Sequence, residues 1–189
     1  MTQRAPIEES VTPAQSRADF DPEKALEALI YVASRVEHDM YRTLKTIYVA
    51  DKCHLERFGS LIFGSSYLAL PFGPVPDEAY DIVKFVRGSI STSPVEHAIE
   101  AFAVEGNDII PCREPDLDVL SRSDIDCLDT AIDQCQHLSF PELKKLTHDD
   151  AYLATPSNSR IAIEAIAATL PNSAELIQHL ADPHPGEAE

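Results

Sequence analysis

The stretch from Met40 to Phe58 constrains the fold more than any other part of the chain. Its sequence, MYRTLKTIYVADKCHLERF, repeats apolar residues at helical spacing, and Gly59 follows as a residue that commonly ends helices. A helix of this length has to bury its apolar face against the rest of the domain. That face carries Met40, Leu44, Ile47, Leu55 and Phe58. The sequence therefore predicts a long helix over 40–58.

Asp51 is the position of this helix that does not fit a hydrophobic core. It lies midway between Ile47 and Leu55, so its carboxylate points to the apolar side, with His54 one turn further on. A carboxylate beside an imidazole can orient a general base, which would suit a small hydrolase-like enzyme that uses Asp51 and His54. The alternative is structural: Asp51 accepts backbone N–H groups of the following loop, and His54 is its local partner. Because no serine or cysteine nucleophile is placed beside them, we favour the structural role.

Capping residues and apolar spacing mark the other helices. Asp21-Pro22 begins a helix over about 22–36, and Ser93-Pro94-Val95-Glu96 has the spacing of a capping box for a short helix. Further helices are predicted over 77–87, from Ser121, from Ser139 and over 156–170.

Two segments have the pattern of strands. Tyr67–Leu70 is a short apolar run that leads into a proline-rich loop, Leu70–Pro76. Residues 101–112 form two apolar runs around Gly106-Asn107, as in a hairpin. Because an isolated hairpin is marginally stable, we pair it with Tyr67–Leu70. The predicted fold class is α+β: a mostly helical single domain with a small, about three-stranded antiparallel β-sheet.

The length and composition favour one globular domain with short tails. The chain has 189 residues, of which 44% are hydrophobic and 25% charged. Residues 1–20 are polar and without periodicity, which predicts a flexible N-terminal arm. The domain is expected over 21–170, and 171–189 is expected to be an acidic C-terminal tail.

The charge of the chain is strongly negative and unevenly distributed. Lys and Arg number 15 against 32 Asp and Glu, a formal charge of −17. Residues 91–189 carry 5 of the basic and 19 of the acidic side chains. Such a surface repels phosphate backbones, so a nucleic-acid partner is disfavoured, and no segment is apolar enough for a membrane. A basic protein partner is the more natural expectation, with an association that slows as ionic strength rises.

The four cysteines predict reduced thiols and a cytoplasmic location. They are widely spaced, at Cys53, Cys112, Cys127 and Cys135, and the chain does not begin with a secretory signal pattern. The spacing of Cys127, Cys135 and His137 matches no zinc pattern, so we expect buried thiols there. We interpret His148-Asp149-Asp150 as a solvated turn, and we expect neither a metal nor a cofactor.

Four ordered groups of residues form a pattern along the chain. The groups are Tyr48, Ala50, Asp51, His54, Leu55 and Gly59; Gly64 and Tyr67; Gly73, Pro74, Val75, Pro76 and Tyr80; and Glu142, Leu143, Leu146, Thr147 and His148. Together they resemble the SocA-like antitoxin family, also called the Panacea domain, and the resemblance spans roughly residues 22–155. The chain departs from the family in two places. It has Leu61-Ile62-Phe63-Gly64 where the family often has Pro-Ile-Thr-Gly, and Tyr152 where the family has a tryptophan.

The resemblance implies an antitoxin that neutralises a cognate protein toxin by direct binding, without catalysis of its own. Such a toxin is usually encoded by an adjacent gene. A proteolytic adaptor that delivers a bound partner to a protease is an alternative, with the arm or the tail as the delivery signal. Assembly of the chain into a homo-oligomer is a further possibility that the sequence leaves open.

Two surfaces are candidates for contact with such a partner. One is the proline-rich loop, where a rigid backbone would present an aromatic anchor; its alternative role is a structural turn into the next helix. The other is the acidic face of residues 114–133. The candidate contact residues are Phe72, Gly73, Pro74, Val75, Pro76, Asp116, Asp118 and Asp126. The residues expected to organise the fold are Tyr48, Asp51, His54, Gly59, Tyr67, Tyr80, Thr147 and His148.

Overall fold

A computed structural model describes residues 20–181 of the protein. Almost all of the predicted N-terminal arm and the last eight residues of the predicted tail lie outside the described residues. The helices are α1 (Pro22–Ala33), α2 (Met40–Phe58), α3 (Asp77–Val86), α4 (Ala98–Ala101), α5 (Arg122–Cys135), α6 (Phe140–Thr147), α7 (Asp150–Leu153), α8 (Ile163–Ala168) and α9 (Ser173–Ala181). The strands are β1 (Tyr67–Leu70), β2 (Gly73–Pro76), β3 (Phe102–Glu105), β4 (Asp108–Pro111) and β5 (Arg160–Ile161). The predicted α+β class is confirmed.

The first two helices begin and end through local capping. The side chain of Asp21 accepts the backbone N–H of Lys24, which caps α1 as predicted, although α1 ends at Ala33, earlier than the predicted residue 36. Helix α2 has the predicted bounds. Gly59 ends it in the left-handed conformation, with φ of 76°, and donates its N–H to the carbonyl oxygen of Leu55.

Helix α2 contributes to two hydrophobic cores. Leu44, Ile47 and Ala50 belong to the larger core, which also contains most of α1 and the inner faces of α3 and α5. Tyr48 and Leu55 belong to a smaller core. The smaller core is completed by Tyr67, Ala69, Ala151, Ile161, Ile166, Ala167, Leu170 and Leu176. The long helix is therefore the element around which the domain is organised.

The predicted pairing of the hairpin with Tyr67–Leu70 is wrong. Strands β1 and β2 pair antiparallel, and the third strand of that sheet is β5, which places Tyr67 opposite Ile161. The hairpin β3–β4 is a separate two-stranded sheet. Its strand edge is used elsewhere, because the chain at His38–Met40 exchanges backbone hydrogen bonds with Asn107 and Ile109. In the proline-rich loop, Gly73–Pro76 form strand β2, so this part of the loop is not an irregular connection.

Two helix predictions also need correction. The helix expected over 156–170 is interrupted, since Arg160 and Ile161 pair with β1 and only 163–168 is helical. The capping box at Ser93 does not form; the Ser93 hydroxyl accepts the N–H of Val95 in a local turn, and α4 begins later.

The folded part of the chain extends beyond residue 170, where the sequence predicts the start of the tail. Helix α9 buries Leu176 in the smaller core, and the Asn172 side chain donates to the carbonyl oxygen of Glu56. Within residues 20–181, no helix combines the length and the apolar character needed to cross a membrane.

Candidate partner-binding surface and the polar contacts beneath it

Asp51 connects the long helix to the loop and the strand that follow it. Its Oδ1 accepts the backbone N–H of Ile62 at 2.7 Å, and its Oδ2 accepts the hydroxyl of Tyr67 at 2.6 Å. The residue is 1% exposed. Burial raises the pKa of the carboxyl to about 6, against the lowering effect of these two hydrogen bonds. Both oxygens are thus engaged inside the domain, and within residues 20–181 the Asp51 side chain is sealed from solvent, whereas a hydrolase would need it to be accessible.

His54 pairs with Asp124 and not with Asp51, so the predicted local partner is wrong. Its Nε2 lies 3.2 Å from Oδ1 of Asp124, an ion-pair contact without good hydrogen-bond alignment. Its Nδ1 lies 2.7 Å from the carbonyl oxygen of Ser60, to which it donates. Burial lowers the pKa of His54, but the Asp124 carboxylate and the Ser60 carbonyl raise it by more. The imidazole therefore ties α2 to α5.

Asp124 is almost completely buried, and several donors contact its carboxylate. It accepts the backbone N–H of Ser121 at 2.8 Å, closing the capping box of α5, and its Oδ2 lies 3.1 Å from Nζ of Lys24. Burial opposes its ionisation, but His54, Ser121 and Lys24 together hold its pKa well below the usual range. This part of the acidic segment is internal and offers no charge to a partner.

Asp149 connects α2 to the segment between α6 and α7. It accepts the hydroxyl of Tyr48 at 2.9 Å and Nζ of Lys52 at 2.6 Å, and it caps α7 through the N–H of Tyr152. The interpretation of residues 148–150 as a solvated turn is therefore wrong, because Asp149 forms long-range contacts. Thr147, which is fully buried, donates to the carbonyl oxygen of Leu143.

The turn between β1 and β2 rests on a buried lysine and a histidine. Lys45 is 1% exposed, and its Nζ donates to the carbonyl oxygen of Pro74 at 2.5 Å. A Cβ added to Gly73 would lie 3.0 Å from Nζ of Lys45 and 3.0 Å from Nε2 of His148. Burial lowers the pKa of Lys45 to about 7, since no carboxylate is bonded to it.

Phe72 is the exposed member of the predicted contact loop. Its side chain is 64% exposed, whereas Gly73, Pro74, Val75 and Pro76 are buried in β2. The hydroxyl of Tyr152 donates to the carbonyl oxygen of Leu70 at 2.9 Å, and its ring packs on that of His148 at 4.2 Å between centroids, which supports the same turn. The position at which the family has a tryptophan is thus a support for this turn.

A second exposed ring, on α6, is connected to this turn through Tyr41 and Lys45 of helix α2. Phe140 is 49% exposed, and its ring packs on Tyr41 at 4.6 Å between centroids. Tyr41 lies one helical turn before Lys45, whose Nζ is 5.2 Å from the centre of the Tyr41 ring and donates to the carbonyl oxygen of Pro74. We call Phe72 and Phe140, with Tyr41, Lys45 and His148 beneath them, the aromatic face.

The predicted acidic face is exposed only in part. Asp116, Asp118 and Asp126 are exposed. Asp129 accepts the hydroxyl of Tyr31 at 2.6 Å. The buried carboxylate of Glu27 accepts the backbone N–H of Asp116 and the guanidinium of Arg113, which fixes this segment on α1.

Two further sets of predicted residues have clear positions. Cys127 and Cys135 are buried, and among residues 20–181 no three His, Cys, Asp or Glu side chains are grouped as a metal site would require. Tyr80 is partly buried against the larger core, with Nζ of Lys84 5.1 Å from the centre of its ring.

Sequence reasoning missed Lys45 and the long-range partners of Asp124 and Asp149. A signal for Lys45 exists, because Tyr41, Lys45, Tyr48 and Lys52 recur at helical spacing on a second face of α2. No comparable signal exists for the contacts of Asp124 with His54 or of Asp149 with Tyr48, because these residues are distant in the sequence.

The fold and its buried polar contacts define a small, mostly helical α+β domain. Residues 44–152 match the family described as Antitoxin SocA-like, Panacea domain. This match covers more than half of the chain, from α2 to α7, and the protein belongs to the SocA-like antitoxin family. Membership indicates an antitoxin role in general and a non-enzymatic one. Neither the curated proteins nor the solved structures contain a match to the chain.

Proposed function

We propose that this chain is the antitoxin of a toxin–antitoxin pair and that it neutralises a cognate protein toxin by direct binding in the cytoplasm. The observation that carries the proposal is the family match over residues 44–152, which include Phe72, Phe140, Lys45 and His148 of the aromatic face. The toxin is expected to be encoded by an adjacent gene. The role of the chain is to cover a surface that the toxin needs, and no reaction is required of it.

The aromatic face is the proposed main contact. Phe72 is a large apolar side chain, 64% exposed, on a turn whose following residues are buried. Aromatic side chains on a rigid backbone bind with little loss of conformational entropy and often dominate interface energies. In this proposal Phe72 enters a pocket of the toxin, while Gly73, Pro74, Val75 and Pro76 support the turn from inside the domain.

The exposed carboxylates are proposed to guide the encounter. Asp116, Asp118 and Asp126 form no salt bridge within the described residues. A basic toxin would be attracted to them over roughly a Debye length of about 8 Å at physiological salt. Their contribution should therefore lie in the association rate, whereas Phe72 should control dissociation.

Growth rescue is the direct test of the proposed function. The product of each adjacent gene is expressed with and without this chain, and growth, co-purification and toxin abundance are measured. Rescue with a stable complex and unchanged toxin abundance is expected. Rescue with loss of the toxin would indicate the proteolytic adaptor instead, and absence of rescue with every neighbour would refute the proposal.

Once a toxin has been identified, a pair of substitutions tests whether the aromatic face is the surface that binds it. Phe72→Ala is expected to weaken binding about tenfold or more, with the free energy of unfolding nearly unchanged. Ile99→Ala is the matched control, because Ile99 is 60% exposed and lies on α4, away from the aromatic face. Equal effects of both substitutions on binding would exclude the aromatic face as the contact.

A further inference from the structure

Two cysteine sulfurs meet between the long helix and α5. Sγ of Cys53 lies 3.2 Å from Sγ of Cys127, 74 positions further along the chain, and both are free thiols. A disulfide has an S–S length of about 2.05 Å, so the sulfurs need to approach by only about 1.2 Å. Because α2 and α5 are already packed together, formation of a disulfide bond between the two sulfurs requires only small side-chain movements.

One of the two cysteines is partly accessible to solvent. Cys53 is half-buried and lines a groove of about 350 Å³, together with Lys52, Glu56, Gln134 and Leu170. Cys127 is fully buried behind it. A small oxidant in the groove therefore reaches Cys53 first, and Cys127 only after it.

Arg57 places a positive charge beside both sulfurs. Its Nη1 lies 4.0 Å from Sγ of Cys53 and 3.7 Å from Sγ of Cys127. A guanidinium at this distance stabilises a thiolate, which is the reactive form of cysteine. Burial raises the pKa of Cys127 to about 12, an effect that Arg57 only partly offsets. Cys127 therefore suits the second, resolving position better than the first.

We propose that Cys53 and Cys127 are a site of reversible oxidation, at which hydrogen peroxide converts the two thiols into an intramolecular disulfide. The Cys53 thiolate attacks peroxide, its sulfur takes one oxygen as sulfenic acid, and the other oxygen leaves as hydroxide, which is protonated to water. The Cys127 sulfur then attacks the Cys53 sulfur, and the sulfenic oxygen leaves as a second water with the Cys127 proton. Two electrons pass from the thiols to one peroxide.

The disulfide would fasten α2 to α5 in the region of the His54–Asp124 contact. It closes a long loop of the chain, and a native-like crosslink of this kind stabilises the folded state. The inference is independent of toxin binding, since it concerns only the chemistry of this chain.

The experiment uses the full chain with Cys112→Ser, because Cys112 is exposed and could crosslink two molecules. The protein is treated with peroxide and analysed by intact mass and peptide mapping. The expected result is loss of two hydrogen atoms, a Cys53–Cys127 crosslinked peptide, a higher Tm, and reversal of all three by dithiothreitol. Oxygen gain without hydrogen loss, or a crosslink to Cys135, would overturn the proposal.

Additional variants separate the two thiols. In the same background, Cys127→Ser and Cys127→Ala should both accumulate oxygen on Cys53, because no resolving thiol remains. Cys135→Ser should still form the disulfide. Circular dichroism confirms that each variant is folded before treatment. A Cys127 variant that still loses two hydrogen atoms would also contradict the proposed pair.

Discussion

The Oδ2 atom of Asp51 accepts the hydroxyl of Tyr67 at 2.6 Å, with both residues 1% exposed. This contact joins the central helix to the first strand of the three-stranded sheet, beside the packing of the Tyr48 ring on the Tyr67 ring. It lies where the two hydrophobic cores meet, since Ala50 belongs to the larger core and Tyr67 to the smaller. The carboxylate therefore holds the two halves of the domain together.

Removing the Asp51 carboxylate should destabilise the domain strongly. Asp51→Ala leaves the Ile62 N–H and the Tyr67 hydroxyl buried without an acceptor, at a cost of roughly 2–4 kcal/mol in the free energy of unfolding. Tyr67→Phe removes only one donor and should cost less, roughly 1–2 kcal/mol. Urea unfolding of the three proteins measures both values, and an unchanged midpoint for Asp51→Ala would show that the contact is unimportant.

The raised pKa of Asp51 predicts a specific dependence of stability on pH. Because the pKa is about 6 in the folded state, above its unfolded value, the folded state binds the proton more readily. The Asp51 contribution to stability is therefore largest below about pH 4 and is lost as the pH rises through about 6. Asp51→Asn should lose this contribution, and unfolding curves between pH 4 and 7 would reveal whether it does.

The contact between His54 and Asp124 should be strongest in mildly acidic solution. The pKa of His54 is raised, so its contribution is complete below about pH 6.5 and is lost as the pH rises through the folded value. The pKa of Asp124 is lowered, so its contribution is present above about pH 3.9 and is lost as the pH falls through the folded value.

Asp124→Asn should lower the pKa of His54, which NMR titration of the imidazole measures directly. The matched control is Asp129→Asn on the same helix, because Asp129 bonds to Tyr31 and not to His54. The control should leave the His54 titration unchanged. A His54 titration that is insensitive to Asp124→Asn would mean that the two groups do not interact.

Replacing Lys45 by methionine should stabilise the protein at neutral pH. A buried lysine with a pKa of about 7 releases its proton on folding, which lowers stability at neutral pH relative to an apolar side chain of similar shape. With the lost hydrogen bond to Pro74 taken into account, Lys45→Met should raise the free energy of unfolding by about 1–2 kcal/mol. The stability of the natural protein should rise between about pH 7 and 10, and that of the variant should not.

Lys52→Met is the control for this substitution. Lys52 lies on the same face of α2 but is paired with Asp149 at 2.6 Å, so its replacement should lower stability. If Lys45→Met proved less stable than the natural protein, an electrostatic role of Lys45 at the Gly73 turn would have to be assumed.

Gly73→Ala should destabilise the turn of the aromatic face. The residue has φ of +106°, and an added Cβ would lie 3.0 Å from atoms of Lys45 and His148. Backbone strain and steric crowding together should lower the free energy of unfolding by roughly 2–3 kcal/mol. Gly106→Ala is the matched control, because Gly106 also has positive φ, of +60°, but an added Cβ has nothing within 4 Å. The control should cost only about 1 kcal/mol by urea unfolding.

Local signals in the sequence were sufficient for much of the helical architecture and for Asp51. The cap of α1, the bounds of α2 and the turn of the hairpin follow from residues close to one another in the chain. The burial of Asp51 follows from its place in an apolar stripe, which any helix over 40–58 would bury. The resemblance of ordered motifs identified the family.

The sequence by itself thus determined the fold class, the bounds of the long helix, the family and the presence of an aspartate in the core. Only the tertiary structure decided which strand completes the sheet, that His54 meets Asp124, and that Cys53 meets Cys127. Strand pairing and buried ion pairs join residues far apart in the chain, and their choice depends on how whole elements pack. Local periodicity carries no information on that packing, because the same helical face can be buried against several different neighbours.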